Sequence, residues 1–263
     1  MKILAIGDIF SKQGRKAVAN ELPKLKQEYQ IDFVIANAEN TTHGRGLCWK
    51  HYEELLGYGI DCITMGNHTW DHPDIFEILT TKTNIIRPYN IINTHQYHLV
   101  GSGSRVFYCN KKMIRVTNLL GNSIDMKGLQ TNPFESLDKI IAFNEAPIHI
   151  VDFHAETTSE KNALFLDFKS KLSLVYGTHT HIPTNDARIV DHTAFQTDLG
   201  MCGAANSVIG ANPSSIIQRF RDPNKRFILE PSDEKYVFCA SLVEIDDETN
   251  FPTNITPIVI YEK

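Results

Sequence analysis

Cysteine is sparse in this chain, and what there is lies scattered. Five thiols among 263 residues (Cys48, Cys62, Cys109, Cys202 and Cys239) are odd in number and stand far apart. That spacing excludes a disulfide framework and a zinc-finger pattern, and it fits reduced thiols in a cytoplasmic protein. Long hydrophobic runs are also lacking. The apolar stretches are strand-sized, well short of the ~20 residues that cross a bilayer, so no membrane partner is expected. The N-terminus enters a strand pattern at once and Asp8 interrupts it, which leaves no room for a signal-peptide apolar core. No repeat, low-complexity tract or linker divides the chain, so residues 1–263 are expected to form a single domain. A net charge of -5 gives no general attraction for nucleic acid or anionic membranes and leaves room only for a local basic patch.

What is present is a recurring layout. Five apolar, strand-like runs end in residues that bind metals. Residues 2–7 end at Asp8, and 33–38 end at Glu39 and Asn40. The run 60–64 leads through Met65-Gly66 to Asn67 and His68, 148–153 ends at His154, and 173–178 ends at His179-Thr180-His181. Open α/β sheets hold their ligands just past the carboxyl ends of strands. Helices are expected at 13–29, where Val18, Leu22, Leu25 and Tyr29 share a face and Pro23 threatens a break, and at 49–58, closed by Gly59. This β-α-β-α-β opening implies a parallel sheet with right-handed crossovers. A short helix follows at 74–80 behind Pro73. Hairpin strands are expected at 96–100, 104–110 and 112–119, then helices at 134–144 and 159–170 alternating with strands at 148–153 and 172–178. Short segments at 187–190 and 193–197, a helix near 214–220, and antiparallel strands at 236–245 and 255–261 complete the chain.

Asp8, Glu39, Asn40, Asn67, His154, His179 and His181 thus form a candidate metal-ligand set. Two carboxylates, two amide oxygens and three imidazoles are too many for one tetrahedral structural zinc. Nitrogen and oxygen donors without thiolate suit manganese, iron, cobalt or zinc better than calcium. A dinuclear site with one bridging carboxylate is the natural arrangement. Two divalent ions against two carboxylates leave the site about two charges positive, suited to a hydroxide and an anionic phosphate substrate.

These residues carry a resemblance. Gly7-Asp8, Glu39-Asn40, Gly66-Asn67-His68, His154 and Gly177-Thr178-His179-Thr180-His181 resemble the motifs of the calcineurin-like metallophosphoesterases. Gly7-Asp8-Ile9, Ala38-Glu39-Asn40, the stretch from Asp152 to Lys161, and Thr197-Asp198-Leu199-Gly200-Met201 are similar to the YmdB-like branch, over nearly the whole chain. The resemblance implies an α/β fold, a four-layer αββα sandwich of two mixed β-sheets packed face to face with helices outside. It implies a metal-dependent phosphodiesterase acting on 2',3'-cyclic nucleotides through a metal-bridged hydroxide. Two divalent ions are implied, iron or manganese first and zinc next, together with a homo-oligomer. RNA enters only as an indirect partner.

Carried over residue by residue, one ion takes Asp8, Glu39, Asn40 and His181, and the other shares Glu39 and adds Asn67, His154 and His179. The chain departs from the wider superfamily in having Phe10 where an imidazole is usual and Glu39 where an aspartate bridges; Asn40 is expected to offset the lost imidazole. The resemblance leaves His68 off the metals as the general acid for the leaving oxygen, with Asp71 or Asp74 near enough in sequence to orient its ring. His43 and Arg45, in the glycine loop after Asn40, are candidate substrate contacts. Glu156 is expected to support the site without ligating, and His51, His72, His95, His98, His149 and His192 to be ordinary surface or core histidines. The basic cluster Arg219, Arg221, Lys225 and Arg226 reads as solvated charge. Two other functions remain open on the sequence: a phosphomonoesterase or protein phosphatase on the same site, and a nucleotide- or RNA-binding regulator with weak catalysis.

Overall fold

The computed structural model describes residues 1–92, 99–127, 129–225 and 229–263. The expected strand at 96–100 falls largely outside them, as do His95, His98 and Arg226. Twelve strands and six helices are described, beginning β1 (Lys2–Ile9), α1 (Ser11–Tyr29), β2 (Phe33–Asn37), α2 (Trp49–Gly57), β3 (Cys62–Thr64) and α3 (Ile75–Thr81). The next elements are β4 (Ser104–Cys109), β5 (Lys112–Leu120), α4 (Pro133–Ala142), β6 (Ile148–His154), α5 (Thr158–Phe168) and β7 (Leu174–Thr178). The chain ends with β8 (Arg188–Val190), β9 (Thr193–Gln196), β10 (Met201–Ala204), α6 (Pro213–Arg221), β11 (Tyr236–Ile245) and β12 (Pro252–Tyr261).

The strands form two six-stranded sheets, β12-β11-β10-β1-β2-β3 and β4-β5-β6-β7-β9-β8. Both are mixed: β1 pairs in parallel with β2 and β10 and antiparallel with β11, while β5, β6, β7 and β9 are parallel between antiparallel edges. The layering follows from which apolar face each strand presents. Ile3, Ala5, Phe33, Ile35 and Cys62 of the first sheet meet Ile114, Val116, Ile148, Ile150, Leu174 and Tyr176 of the second in one buried cluster. On the outer face of the first sheet, Leu4, Ile6, Val34 and Ile63 pack on Val18, Leu22, Tyr52, Leu55 and Ile78 of α1–α3. On the outer face of the second, Leu119, Val151, Phe153 and Val175 pack on Leu137, Leu164, Phe165 and Phe168 of α4 and α5. The order helix–sheet–sheet–helix is the expected four-layer sandwich. Strands covered on both faces read as near-continuous apolar runs, and β2, β6 and β7 are buried at every position.

Several expectations about individual elements are corrected. β1 does not stop before Asp8 but runs through it to Ile9, and Ser11 begins α1 two residues earlier than expected. Pro23 does not split that helix. It lies on the exposed side of the helix, away from the packed face. β10 is additional to the expected elements, because Met-Cys-Gly-Ala contains no β-branched or aromatic residue to signal a strand.

One local irregularity positions the site. In the β1–β2 ladder Ile6 faces Ala36 but Asp8 faces Asn37, so two residues of β1 oppose one of β2. Such a bulge reverses the alternation of side chains beyond it. Leu4 and Ile6 face the helices, and without the bulge Asp8 would join them. With it, Ile9 faces the helices and Asp8 turns toward the junction of the sheets. Gly7 makes this possible, because a Cβ there would overlap the carbonyl of Gly200.

His149 is a core histidine, as expected. It is 2% exposed, its Nε2 lies 2.9 Å from Thr117 Oγ1, and burial, reinforced by Arg115, pushes its pKa down to about 3. An unfolded chain takes up a proton at this ring near pH 6.5 while the folded chain resists it, so the stability involved is complete above that pH and falls as pH drops toward 3. Between pH 7 and 4.5 the ring is expected to cost the protein about 2–3 kcal/mol. Denaturant unfolding at the two pH values should show His149→Gln to be less acid-sensitive than the parent by that amount. Equal slopes would refute the assignment.

Candidate metal centre

All seven expected donors meet at one end of the sandwich, four from the first sheet and three from the second. Asp8 comes from the bulged end of β1. Glu39 and Asn40 follow β2, and Asn67 follows β3 across the turn Met65-Gly66. His154 ends β6, and His179 and His181 follow β7.

The first-sheet donors are aimed by their unused atoms. The Asn40 amide nitrogen donates to Gly44 O (3.0 Å), which turns Oδ1 toward His181 Nε2, 3.2 Å away. Asn37, just before Glu39, accepts the Glu39 N–H on Oδ1 (3.1 Å) and donates to Met65 O and Asp152 Oδ2, both at 3.2 Å, so it locks the two donor turns together. One Glu39 oxygen accepts the His68 backbone N–H (2.8 Å) and the other lies 2.9 Å from His154 Nε2. Gly66 leaves room for this. A side chain there would overlap both Glu39 Oε2 and His154 Nε2.

The three imidazoles are each tethered by the nitrogen that faces away from the cluster. His181 Nδ1 lies 2.8 Å from the carbonyl of Ile209, which only an N–H can approach as a partner. His179 Nε2 lies 2.9 Å from a Glu156 oxygen. Thr178 Oγ1 donates to Asp152 Oδ1 (2.6 Å) and so has only a lone pair to offer His154 Nδ1, 2.9 Å away. Thr64 donates to the other oxygen of Asp152. All three rings are therefore held from outside and turn their other nitrogen inward, the arrangement that metal-bound histidines adopt.

Those inward atoms crowd one another. His154 Nε2 is 3.1 Å from both His179 Nδ1 and Asn67 Oδ1, and Glu39, His154 and His179 each offer an atom within 4.8 Å of the others. A second group forms around His181 Nε2, with Asn40 Oδ1 at 3.2 Å and Asp8 Oδ1 at 3.9 Å. Asp8 Oδ1 is buried and has no hydrogen-bond donor among the described residues. Lone pairs facing lone pairs, with an orphaned carboxylate oxygen among them, fit a cation and little else. The titration directions agree. Burial raises Asp8 above the usual carboxylate range. Burial works the same way on Glu39, but His154 outweighs it and holds the carboxyl down at about 2. His154 itself is disfavoured as a cation by burial yet pushed up to about 9 by Glu39 and Asp8, so the pocket draws in positive charge. His179 is pushed down to about 3 by burial and by His154.

The turn holding the two histidines is strained, with φ of 97° at His179 and 66° at His181. Its N–H groups are held by acids: His179 N–H by Asp8 (3.0 Å) and Thr180 N–H by Asp198 (3.2 Å). Asp198 in turn receives the buried Lys161 ammonium at 2.6 Å, which also donates to Thr178 O at 2.9 Å. Phe10 cannot ligate. Its ring packs edge-to-face with that of His181 at a centroid distance of 5.6 Å, a packing contact at the position where the wider superfamily has an imidazole.

His68 lies outside the donor cluster, half-buried on the wall of a cavity of about 450 Å³ that also exposes Glu39, Asn40, His179 and His181. Its Nδ1 is 2.7 Å from Asp71, whereas Asp74 lies near His72, so Asp71 is the carboxylate that orients the ring. Arg45 lines the same cavity, but His43 lines the neighbouring one. Asn37, Thr178, Asp152 and the Lys161–Asp198 pair are site residues that the sequence reading leaves out. All but Asn37 stand in the quoted stretches of resemblance, which is the only signal available for them.

Paired mixed sheets with this donor set at their junction define a metallophosphoesterase-type protein. Within that class the chain belongs to the YmdB-like protein family, whose family model matches residues 4–258. It is similar to the 2',3'-cyclic-nucleotide 2'-phosphodiesterase of Bacillus subtilis, at 38% identity over 99% of this chain and 97% of that protein. A Mycoplasma pneumoniae crystal structure described as a novel phosphatase superposes with a TM-score of 0.95 at 43% identity, covering 99% of this chain and 93% of that one. A hypothetical protein from Thermus thermophilus superposes with a TM-score of 0.91 at 34% identity, each chain fully covered.

Proposed function

We propose that this protein is a phosphodiesterase that hydrolyses 2',3'-cyclic nucleotides with two divalent ions, iron or manganese, as cofactors. Asp8, Glu39, Asn40 and His181 would hold one ion, and Glu39, Asn67, His154 and His179 would hold the other. The observation that carries this reading is the outward tethering of all three imidazoles, which turns three ring nitrogens toward the oxygens of Asp8, Glu39, Asn40 and Asn67, with Asp8 Oδ1 left without a donor among the described residues. Its substrate is that named for the Bacillus subtilis relative.

Divalent ions bound there would supply neutralising charge for the phosphate and a water acidic enough to serve as nucleophile near neutral pH. The protein's own groups do the rest. Glu39 and Asp8 set the charge of the site, and the tethers on Ile209, Glu156 and Thr178 keep each ring from turning. His68 stands apart from the donors, with Asp71 on Nδ1, and delivers a proton from its other nitrogen to the departing ribose oxygen. Arg45, on the same cavity wall, faces the phosphate.

The reading is tested by stripping purified protein with a chelator and reloading it with Mn²⁺ or Fe²⁺. Hydrolysis of a 2',3'-cyclic nucleotide is expected to vanish on stripping and return on reloading, at about two metal ions per chain. Turnover of phosphomonoesters alone would make the protein a phosphatase instead, and turnover indifferent to metal would overturn the site.

A further inference from the structure

A second cavity, of about 670 Å³, abuts the donor cavity and shares Arg45 and Leu229 with it. Its walls are rich in nitrogen: Arg15, His43, Arg45, Lys50, His51 and His72 line it, and among the described residues no carboxylate does. Some of these groups are already engaged. Arg15 is paired with Glu54 (3.1 Å) and donates to Thr41 O (2.9 Å), His51 meets Thr42 Oγ1 (2.9 Å), and His72 lies 3.7 Å from Asp74. Arg45 and Lys50 are different. Both are exposed, and among the described residues neither has an ion-pair partner. On a protein whose net charge is -5, two free cations and a row of imidazoles around one hollow make a local positive field of the kind that draws in phosphate.

We propose that this cavity receives a second phosphate of the substrate, on the 5' side of the nucleoside whose cyclic phosphate sits at the donors. The inference rests on the cyclic-nucleotide reading above for which phosphate occupies the donor cavity. On a ribose, the 5' carbon rises from C4' on the face opposite the 2' and 3' oxygens. With the cyclic phosphate at the donors, the 5' side therefore leads away from them and over the shared wall. Arg45 then stands between the two phosphates, Lys50 faces the outer one, and Leu229 offers the sugar an apolar contact. A 5'-monophosphate and the internucleotide phosphate of an oligoribonucleotide ending in a cyclic phosphate present the same group at this place.

The test compares adenosine 2',3'-cyclic phosphate, its 5'-phosphorylated form, and the dinucleotide ApA ending in a 2',3'-cyclic phosphate as substrates of the metal-loaded protein. Calorimetry with adenosine 3'-phosphate and adenosine 3',5'-bisphosphate supplies a binding readout that needs no turnover. A phosphate on the 5' side is expected to lower KM, and Kd in the calorimetric pair, about tenfold. That ratio should fall to about one in Lys50→Glu, persist in Lys50→Arg, and shrink with added salt. A gain for the dinucleotide alone assigns the cavity to an internucleotide phosphate, and a gain for both assigns it to either source. The same KM for all three substrates together with equal Kd values for the calorimetric pair would overturn the inference. A tighter bisphosphate in a protein that leaves every cyclic substrate intact would uphold the cavity and sink the cyclic-nucleotide reading instead.

Discussion

Replacing His68 by alanine is expected to lower turnover of a 2',3'-cyclic nucleotide by roughly 10²–10⁴-fold, the range a positioned general acid supplies. The change should leave metal content intact, because the His68 contact to the donor cluster runs through its backbone N–H to Glu39 and not through the ring. The ring is bound instead to Asp71 through Nδ1. The chemistry offers a sharper test than the loss itself. A ribose alkoxide needs a proton to leave, whereas a nitrophenolate does not, so a nitrophenyl phosphodiester should lose far less activity in the variant than the cyclic nucleotide does. An equal loss on both substrates, or a variant that no longer retains metal, would remove His68 from the role of acid.

The second large effect is on stability. Lys161 and Asp198 are each 1% exposed, with Nζ and Oδ2 2.6 Å apart. Lys161→Met keeps most of the side chain's bulk but strands the Asp198 carboxylate in the interior, which typically costs about 3–5 kcal/mol. Neutralising the partner as well should recover much of this. In Lys161→Met/Asp198→Asn the amide oxygen can still accept from Gly200 N–H, now 2.8 Å from Asp198. Denaturant midpoints of the parent, the single and the double variant measure the difference. The His179–His181 turn depends on Asp198 for the Thr180 N–H, so the single variant should also bind metal more weakly. A double variant no more stable than the single one would show that charge burial is not the cause.

The parts of the fold legible in the sequence were those whose physics is local. β2, β6 and β7 declare themselves by near-continuous apolar runs, and their donors stand at the carboxyl ends because parallel strands put their ends together. What the sequence could not show was set by distant partners. β10 has no strand signal of its own and forms because β1 and β11 offer it a ladder on either side. The bulge at Gly7 is invisible until the carbonyl of Gly200 closes on it. The tether on His181 comes from Ile209, a hydrophobic residue 28 positions away that acts only through its backbone. Pro23 misled in the opposite direction, since a helix breaker on the solvent side does little harm. The choice of Asp71 over Asp74 rests on the fold, which places Asp71 on His68 Nδ1 and Asp74 beside His72.

The bulge that redirects Asp8 has a mechanical consequence. With four donors descending from one sheet and three from the other, whatever lodges among them rivets the two halves of the sandwich at a single rim. Affinity for that guest is thereby converted into resistance to melting, about 2.7 kcal/mol when it is present at a hundred times its dissociation constant. Under the proposed function, starving a cell of the guest would silence the protein and loosen it at the same time.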